Sequence, residues 1–228
     1  MNTAINFANK DMTDDFYYDL VKNIYKKSYF KQNNYIKTCQ NNAAHDEAKA
    51  KIIKKIFPNA KKILIGGAAQ GYLVALLNKQ GFDCYGFDPL YHFYPEAFYE
   101  VCEEDALPRM KAGFCEKIPF EKDDDFDTFV TFDVLEHICQ NFIVKVAKEC
   151  ERMQFKQMLH VIGTSDNIVG EGHLCEGHII FRDKNWWADQ FRGSNFKDVT
   201  SNFVDSKYWP VFKADLPGGL VYENSSYC

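Results

Sequence analysis

The stretch from Ile63 to Asp88 constrains the fold more than any other part of the chain. It opens with Ile63-Leu64-Ile65, an apolar run with the β-branched bias of a buried strand, led in by Lys61 and Lys62. Small residues follow at Gly66, Gly67, Ala68, Ala69 and Gly71, where the backbone can turn sharply and a ligand can approach it closely. From Tyr72 the pattern becomes helical, with Leu73, Leu76 and Leu77 on one face and Gly81 as the stop. A second apolar run, Cys84 to Phe87, ends on Asp88. Strand, glycine-rich turn, helix, strand and acid form the half-fold that binds an adenosine-containing cofactor. The helix N-terminus offers N–H groups, and the terminal acid can accept from both ribose hydroxyls. Asp88 stands about 20 residues past the glycine turn, the separation this geometry requires.

Two later stretches narrow the choice of cofactor. Gly113-Phe114-Cys115-Glu116-Lys117-Ile118-Pro119-Phe120 precedes an acidic loop, and Phe126 to His137 then reads FDTFVTFDVLEH. This succession resembles the class I S-adenosylmethionine-dependent methyltransferases, in which an E-x-(L/I)-P-F segment precedes a strand ending in D-V-L-E-H. Gly67, Ala69, Gly71, Tyr72, Leu73 and Val74 resemble one subgroup, whose loop reads Gly-x-Ala-x-Gly-Tyr-Leu-Val and which includes saccharide-tailoring enzymes. Two positions depart from the pattern. Ile65 stands where an acidic residue is common, and Phe114 where many relatives carry Asp.

The resemblance implies an α/β fold: a doubly wound, mostly parallel seven-stranded sheet with an N-terminal helical cover over residues 1–40 and the methyltransferase domain over 41–228. It implies S-adenosyl-L-methionine as cofactor, with Gly67, Ala69 and Gly71 around the methionine part and Asp88 on the ribose. Pro89, Cys115 and Glu116 then border adenine, while Phe132 and Asp133 border the transferred methyl. For a hydroxyl acceptor the protein must remove a proton, a task suited to a histidine near neutral pKa. His178 is the first candidate, with His137 and Asp133 beside it; His173 is a further one, and His178 can equally position a loop. Asp133, Glu136 and His137 would share one face if a helix began at Asp133. That set could hold Mg²⁺, but the expectation is a metal-free site in which these residues brace the loop.

Composition bounds the remaining possibilities. A chain of 228 residues has room for one domain with a full core. A formal charge of -5 argues against a broad nucleic-acid surface. No apolar run reaches the length of a membrane span and the N-terminus lacks the plan of a signal peptide, so a cytoplasmic location is expected, with no membrane partner. The eight cysteines contain no Cys-x-x-Cys pair and read as reduced thiols. A small-molecule acceptor and a monomer or homodimer follow as expectations. Outside the central stretch, Thr13-Asp14-Asp15 can cap a helix with Phe16, Leu20, Val21 and Ile24 as its apolar face. Residues 42–57 form a second amphipathic helix ended by Pro58, with His45 near its start. Two other readings stay open: a cofactor-binding partner subunit without catalysis, and a nicotinamide-dependent oxidoreductase. Transfer to nitrogen or a carboxylate is the alternative to transfer to oxygen.

Overall fold

A computed structural model describes residues 13–24, 40–96, 100, 102–163, 179–180, 182–192, 196–198 and 219–224. Seven strands are described: β1 (Lys62–Gly66), β2 (Asp83–Asp88), β3 (Met110–Ala112), β4 (Thr128–Phe132), β5 (Gln157–Val161), β6 (Phe196–Asp198) and β7 (Gly219–Asn224). They hydrogen-bond in the order β3-β2-β1-β4-β5-β7-β6. The first five run parallel, so this part is an open α/β sheet, and β7 lies antiparallel to both β5 and β6. The chain moves from β1 outward to β2 and β3, then returns to lay β4 on the other side of β1. That reversal opens a crevice beyond the carboxyl ends of β1 and β4, where Gly66 pairs with Thr131.

Strand residues point alternately to two layers. Leu64, Phe129 and Met158 enter one core with Phe142, Phe155, Trp187 and Phe191. Ile63, Ile65, Val130 and Leu159 enter the other with Ile53, Leu73, Leu77 and Tyr91. Phe129 stacks on Phe155 with ring centroids 5.0 Å apart. Burying each such side chain contributes about 1.5 to 3 kcal/mol, so the double cover explains why β4 is apolar or uncharged throughout.

The helices are α1 (Asp14–Ile24), α2 (Gln40–Ile56), α3 (Tyr72–Lys79), α4 (Leu90–Phe93), α5 (Gln140–Met153) and α6 (Lys184–Arg192). α2 buries Ile52, Ile53 and Ile56 on the stripe that the sequence marks. α1 differs from expectation in phase: Tyr17 and Val21 are buried, whereas Phe16 is 54% exposed. Tyr17 stacks on Phe142 of α5 at 4.1 Å, and Lys145 of α5 pairs with Asp14 at 3.0 Å. These two contacts set the roll of α1. No α-helix begins at Asp133, the condition for a shared face with Glu136 and His137, because Leu135–His137 forms a single 3-10 turn. Among the described residues no helix is long and apolar enough to cross a membrane.

Candidate active site

The turn between β1 and α3 adopts left-handed backbone at Gly67 (φ 67°), Ala69 (φ 47°) and Gly71 (φ 80°). β2 and its exit hold this turn from below. Ala68 donates its N–H to the carbonyl of Phe87 at 3.0 Å, and Ala69 donates to Asp88 Oδ2 at 2.8 Å. The other carboxylate oxygen of Asp88 accepts from the Leu90 N–H at 2.8 Å. The Tyr91 hydroxyl donates to the Ala69 carbonyl at 2.6 Å. Gly71 caps α3 without a side-chain hydrogen bond, and the start of a helix suits an anionic or carboxylate group.

Asp88 is 7% exposed, and burial raises its carboxyl to about 6 against the pull of the Leu90 and Ala69 N–H groups. Each carboxylate oxygen has a second lone pair, so two backbone donors do not exhaust it. A pair of ribose hydroxyls fits that remaining acceptor capacity.

Beside Asp88 lies a cleft with about 360 Å³ of atom-free space, part of it open to solvent. Gly67, Pro89, Cys115, Glu116 and His137 line it together with Tyr17, Val21, Phe87, Phe114, Val134 and Ile138. Apolar walls suit a flat nucleoside, and few polar groups remain to orient it. Glu116 is one of them. Burial raises its carboxyl to about 7, and Tyr17 shares a hydrogen bond with it. Its Oε1 is buried without a hydrogen-bond partner among the described residues. An orphaned acceptor of this kind costs about 1–3 kcal/mol, and a ligand amino or hydroxyl group would satisfy it. The residues present thus fit an adenosine cofactor at the acid, at the helix start and in the cleft.

The structure separates the remaining candidates. Asp88 and Ala69 meet through their hydrogen bond, and a β-carbon on Gly71 would stand 2.8 Å from Ala106 Cβ and 3.2 Å from Met110 Cγ. Phe132 is buried in the opposite core, where Lys49 Nζ stands 5.2 Å from its ring centroid. Asp133 is exposed, with φ 54° and its N–H bonded to Val161 O at 2.9 Å. Glu136 points inward, fully buried, and accepts the Gly163 N–H at 2.8 Å. Asp133, Glu136 and His137 therefore do not share a face, and among the described residues no three His, Cys, Asp or Glu are grouped to hold a metal ion. His178 and His173 lie outside the described residues, as does the side chain of His45. His160 is buried beside Thr131 Oγ1 at 2.8 Å, and burial lowers it to about 3, so it stays neutral.

Sequence reasoning missed Tyr17, Val21, Val134 and Ile138 as cleft residues. Tyr17 carried a signal, since it stands four residues before Val21, but three consecutive aromatics at 16–18 let the stripe be drawn through Phe16. Val134 and Ile138 flank the D-V-L-E-H acids and were overshadowed by them.

Residues 64–156 match the family model described as a methyltransferase domain. No curated protein matches the chain. Among solved structures, the PH0226 protein from Pyrococcus horikoshii OT3 is similar over 87% of this chain and 99% of its own, at 15% identity and a TM-score of 0.65. The Burkholderia thailandensis 1,6-didemethyltoxoflavin-N1-methyltransferase, solved with 1,6-didemethyltoxoflavin and S-adenosylhomocysteine, is similar over 94% of this chain and 91% of its own, at 17% identity and a TM-score of 0.61. A TehB-like S-adenosylmethionine-dependent methyltransferase from Corynebacterium glutamicum ATCC 13032 covers 78% of this chain and 87% of its own, at 18% identity and a TM-score of 0.51. At these identities the likeness shows the fold. Residues 64–156 are thus a methyltransferase domain, on the fold that these solved structures share.

Proposed function

We propose that this protein is an S-adenosylmethionine-dependent methyltransferase that transfers the methyl group to an oxygen of a small polar acceptor, with the cofactor across the carboxyl ends of β1 and β2. The observation that carries the placement is Asp88, a buried carboxylate at the tip of β2 that touches the glycine turn and adjoins the cleft. In this reading Asp88 grips the ribose, Gly67, Ala69 and Gly71 surround the methionine part, and Pro89, Cys115 and Glu116 border adenine. Residues 1–40 form a cover over the domain of residues 41–228. Tyr17 and Val21 of α1 support that role, because they line the cleft.

The sulfonium of the cofactor supplies an activated methyl group. The chain's part is to hold the acceptor in line, exclude water and take the hydroxyl proton as the oxygen attacks. His137 is the described candidate for the proton, since it lines the cleft. His178, which follows β5 in the sequence, is the other, with Asp133 proposed at the boundary of cofactor and acceptor and Phe132 behind it in the core. A saccharide or phosphorylated saccharide precursor of a surface polysaccharide is the acceptor class, on the strength of the Gly-x-Ala-x-Gly-Tyr-Leu-Val resemblance. A cytoplasmic monomer or homodimer, without nucleic acid or membrane partners, completes the reading.

Calorimetry with S-adenosylhomocysteine on the wild type and Asp88→Ala tests the placement. A loss of affinity of about 100-fold is expected for a doubly accepting buried carboxylate, and unchanged affinity sinks the assignment. A methyl-donor turnover screen over sugars and sugar phosphates, repeated with His137→Ala and His178→Ala, tests the acceptor class and the base.

A further inference from the structure

Ala69 is the one left-handed residue of the cofactor turn that is not glycine. An L-residue enters that region at a cost of about tenfold in population. The other non-glycine residues with positive φ, Asp125, Asp133 and Gln154, carry polar side chains. Ala69 has none, so whatever holds it must come from elsewhere. Both of its peptide groups are held: its N–H by Asp88 Oδ2 at 2.8 Å, its carbonyl by the Tyr91 hydroxyl at 2.6 Å. The next carbonyl, of Gln70, accepts the Glu103 N–H at 2.8 Å. Tyr91 is 1% exposed and packed in the core beneath the turn, so its hydroxyl is fixed in place by the fold.

We propose that Tyr91 is a positioning residue for cofactor binding: its hydroxyl, with Asp88, clamps Ala69 in the left-handed conformation that glycine would adopt unaided. The proposal rests on the placement of the cofactor against this turn. A turn shaped before the ligand arrives binds without first being ordered, and any fall in the competent fraction weakens the apparent affinity by the same factor. Tyr91 thus supplies from the core what the Ala69 position lacks.

Tyr91→Phe removes the hydroxyl alone. Hydrogen exchange at the Ala69 amide of the free protein should speed up by about tenfold, the population cost released. Affinity for S-adenosylhomocysteine should weaken by about five- to tenfold. Adding Ala69→Gly to Tyr91→Phe should restore affinity to within about threefold, because glycine needs no clamp. Unchanged exchange and affinity in Tyr91→Phe would overturn the proposal. So would a loss that Ala69→Gly does not rescue, since the hydroxyl would then act through general packing. Wild-type protein with no affinity for S-adenosylhomocysteine would overturn the cofactor placement and the role of Tyr91 with it. The exchange comparison tells that failure from a clamp that does not exist.

Discussion

Val134 occupies the space that a side chain on Gly67 would need: a β-carbon there would stand 2.4 Å from Val134 Cγ2. Gly67 also has φ 67°, so two separate penalties oppose any substitution. Gly67→Ala is expected to cost about 2 to 4 kcal/mol, the sum of left-handed backbone and overpacking. Adding Val134→Ala should recover the overpacking share, about 1 to 2 kcal/mol, and leave the backbone share. Urea melts of the single and double variants check this. Full recovery in the double variant would mean that the backbone penalty is absent.

The part of the site built from consecutive residues was legible, and the part built across the sheet was not. β1, the turn, α3, β2 and Asp88 each carry a local signature: an apolar run, small residues, a helical stripe, a second run, an acid. Their order fixes the connection. Glu136 shows the opposite case. Its i, i+3, i+4 relation to Asp133 and His137 suggested one face of a helix, but a donor 27 residues away decides its direction. The Gly163 N–H needs an acceptor where β5 ends, and the Ile179 and Ile180 N–H groups both bond the Glu136 carbonyl, at 2.7 and 3.0 Å. No local period carries that information. The phase of α1 was lost for a related reason, since partners far along the chain, Phe142 and Glu116 on Tyr17 and Lys145 on Asp14, distinguish Tyr17 from Phe16.

Glu136 itself can be tested through its charge. Burial, with Asp133 second, raises its carboxyl well above the ordinary range, and its Oε2 has no hydrogen-bond partner among the described residues. The protonated acid is therefore the form that suits the fold. Because the folded state holds this proton more tightly than the unfolded one, the stability it contributes is present at low pH. It is lost as pH rises from the unfolded value of 4.5 through the folded one. Glu136→Gln keeps the shape and the acceptor for Gly163 without the charge. It is expected to match the wild type at acidic pH and exceed it at alkaline pH. Glu136→Ala strands the Gly163 N–H and should cost about 1–3 kcal/mol at every pH. Thermal melts across pH separate the three proteins, and a pH slope retained in Glu136→Gln would contradict the account.

Tyr17 joins the first helix to the cleft, and its removal should be felt at both. Its phenol is raised well above its usual value, by burial first and then by Glu116, so it remains a neutral donor. Tyr17→Phe keeps the stack on Phe142 and withdraws the hydrogen bond to Glu116. That leaves a buried carboxyl with less support, and a loss of about 1–2 kcal/mol is expected. Tyr17→Ala removes the ring as well and should cost about 3–5 kcal/mol. Hydrogen exchange over residues 14–24 gives the check: α1 should open more readily in Tyr17→Ala than in Tyr17→Phe. Equal exchange in the two would assign the docking of α1 to contacts other than the stack.

The affinity for cofactor should follow the protonation of Asp88. Its carboxyl is raised from 3.8 to about 6, with burial as the first cause and the Leu90 and Ala69 N–H groups opposing it. The free protein's stability from this group is therefore present below pH 3.8 and is lost as pH rises through about 6. Binding has the opposite sign, because the ionised carboxylate is the form that accepts from both ribose hydroxyls. Above pH 6 the contribution of Asp88 to the affinity for S-adenosylhomocysteine should be flat, and any further change near pH 7 belongs to Glu116. Below it, affinity should fall by about tenfold for each pH unit as a proton must leave before the ligand enters. Asp88→Asn should bind weakly and lose the share of the slope that Asp88 causes, leaving only what Glu116 contributes. Calorimetry in buffers of differing ionisation enthalpy counts the protons directly: release of close to one proton per ligand at pH 5, and none at pH 8, is the outcome that places the carboxylate of Asp88 on the ligand.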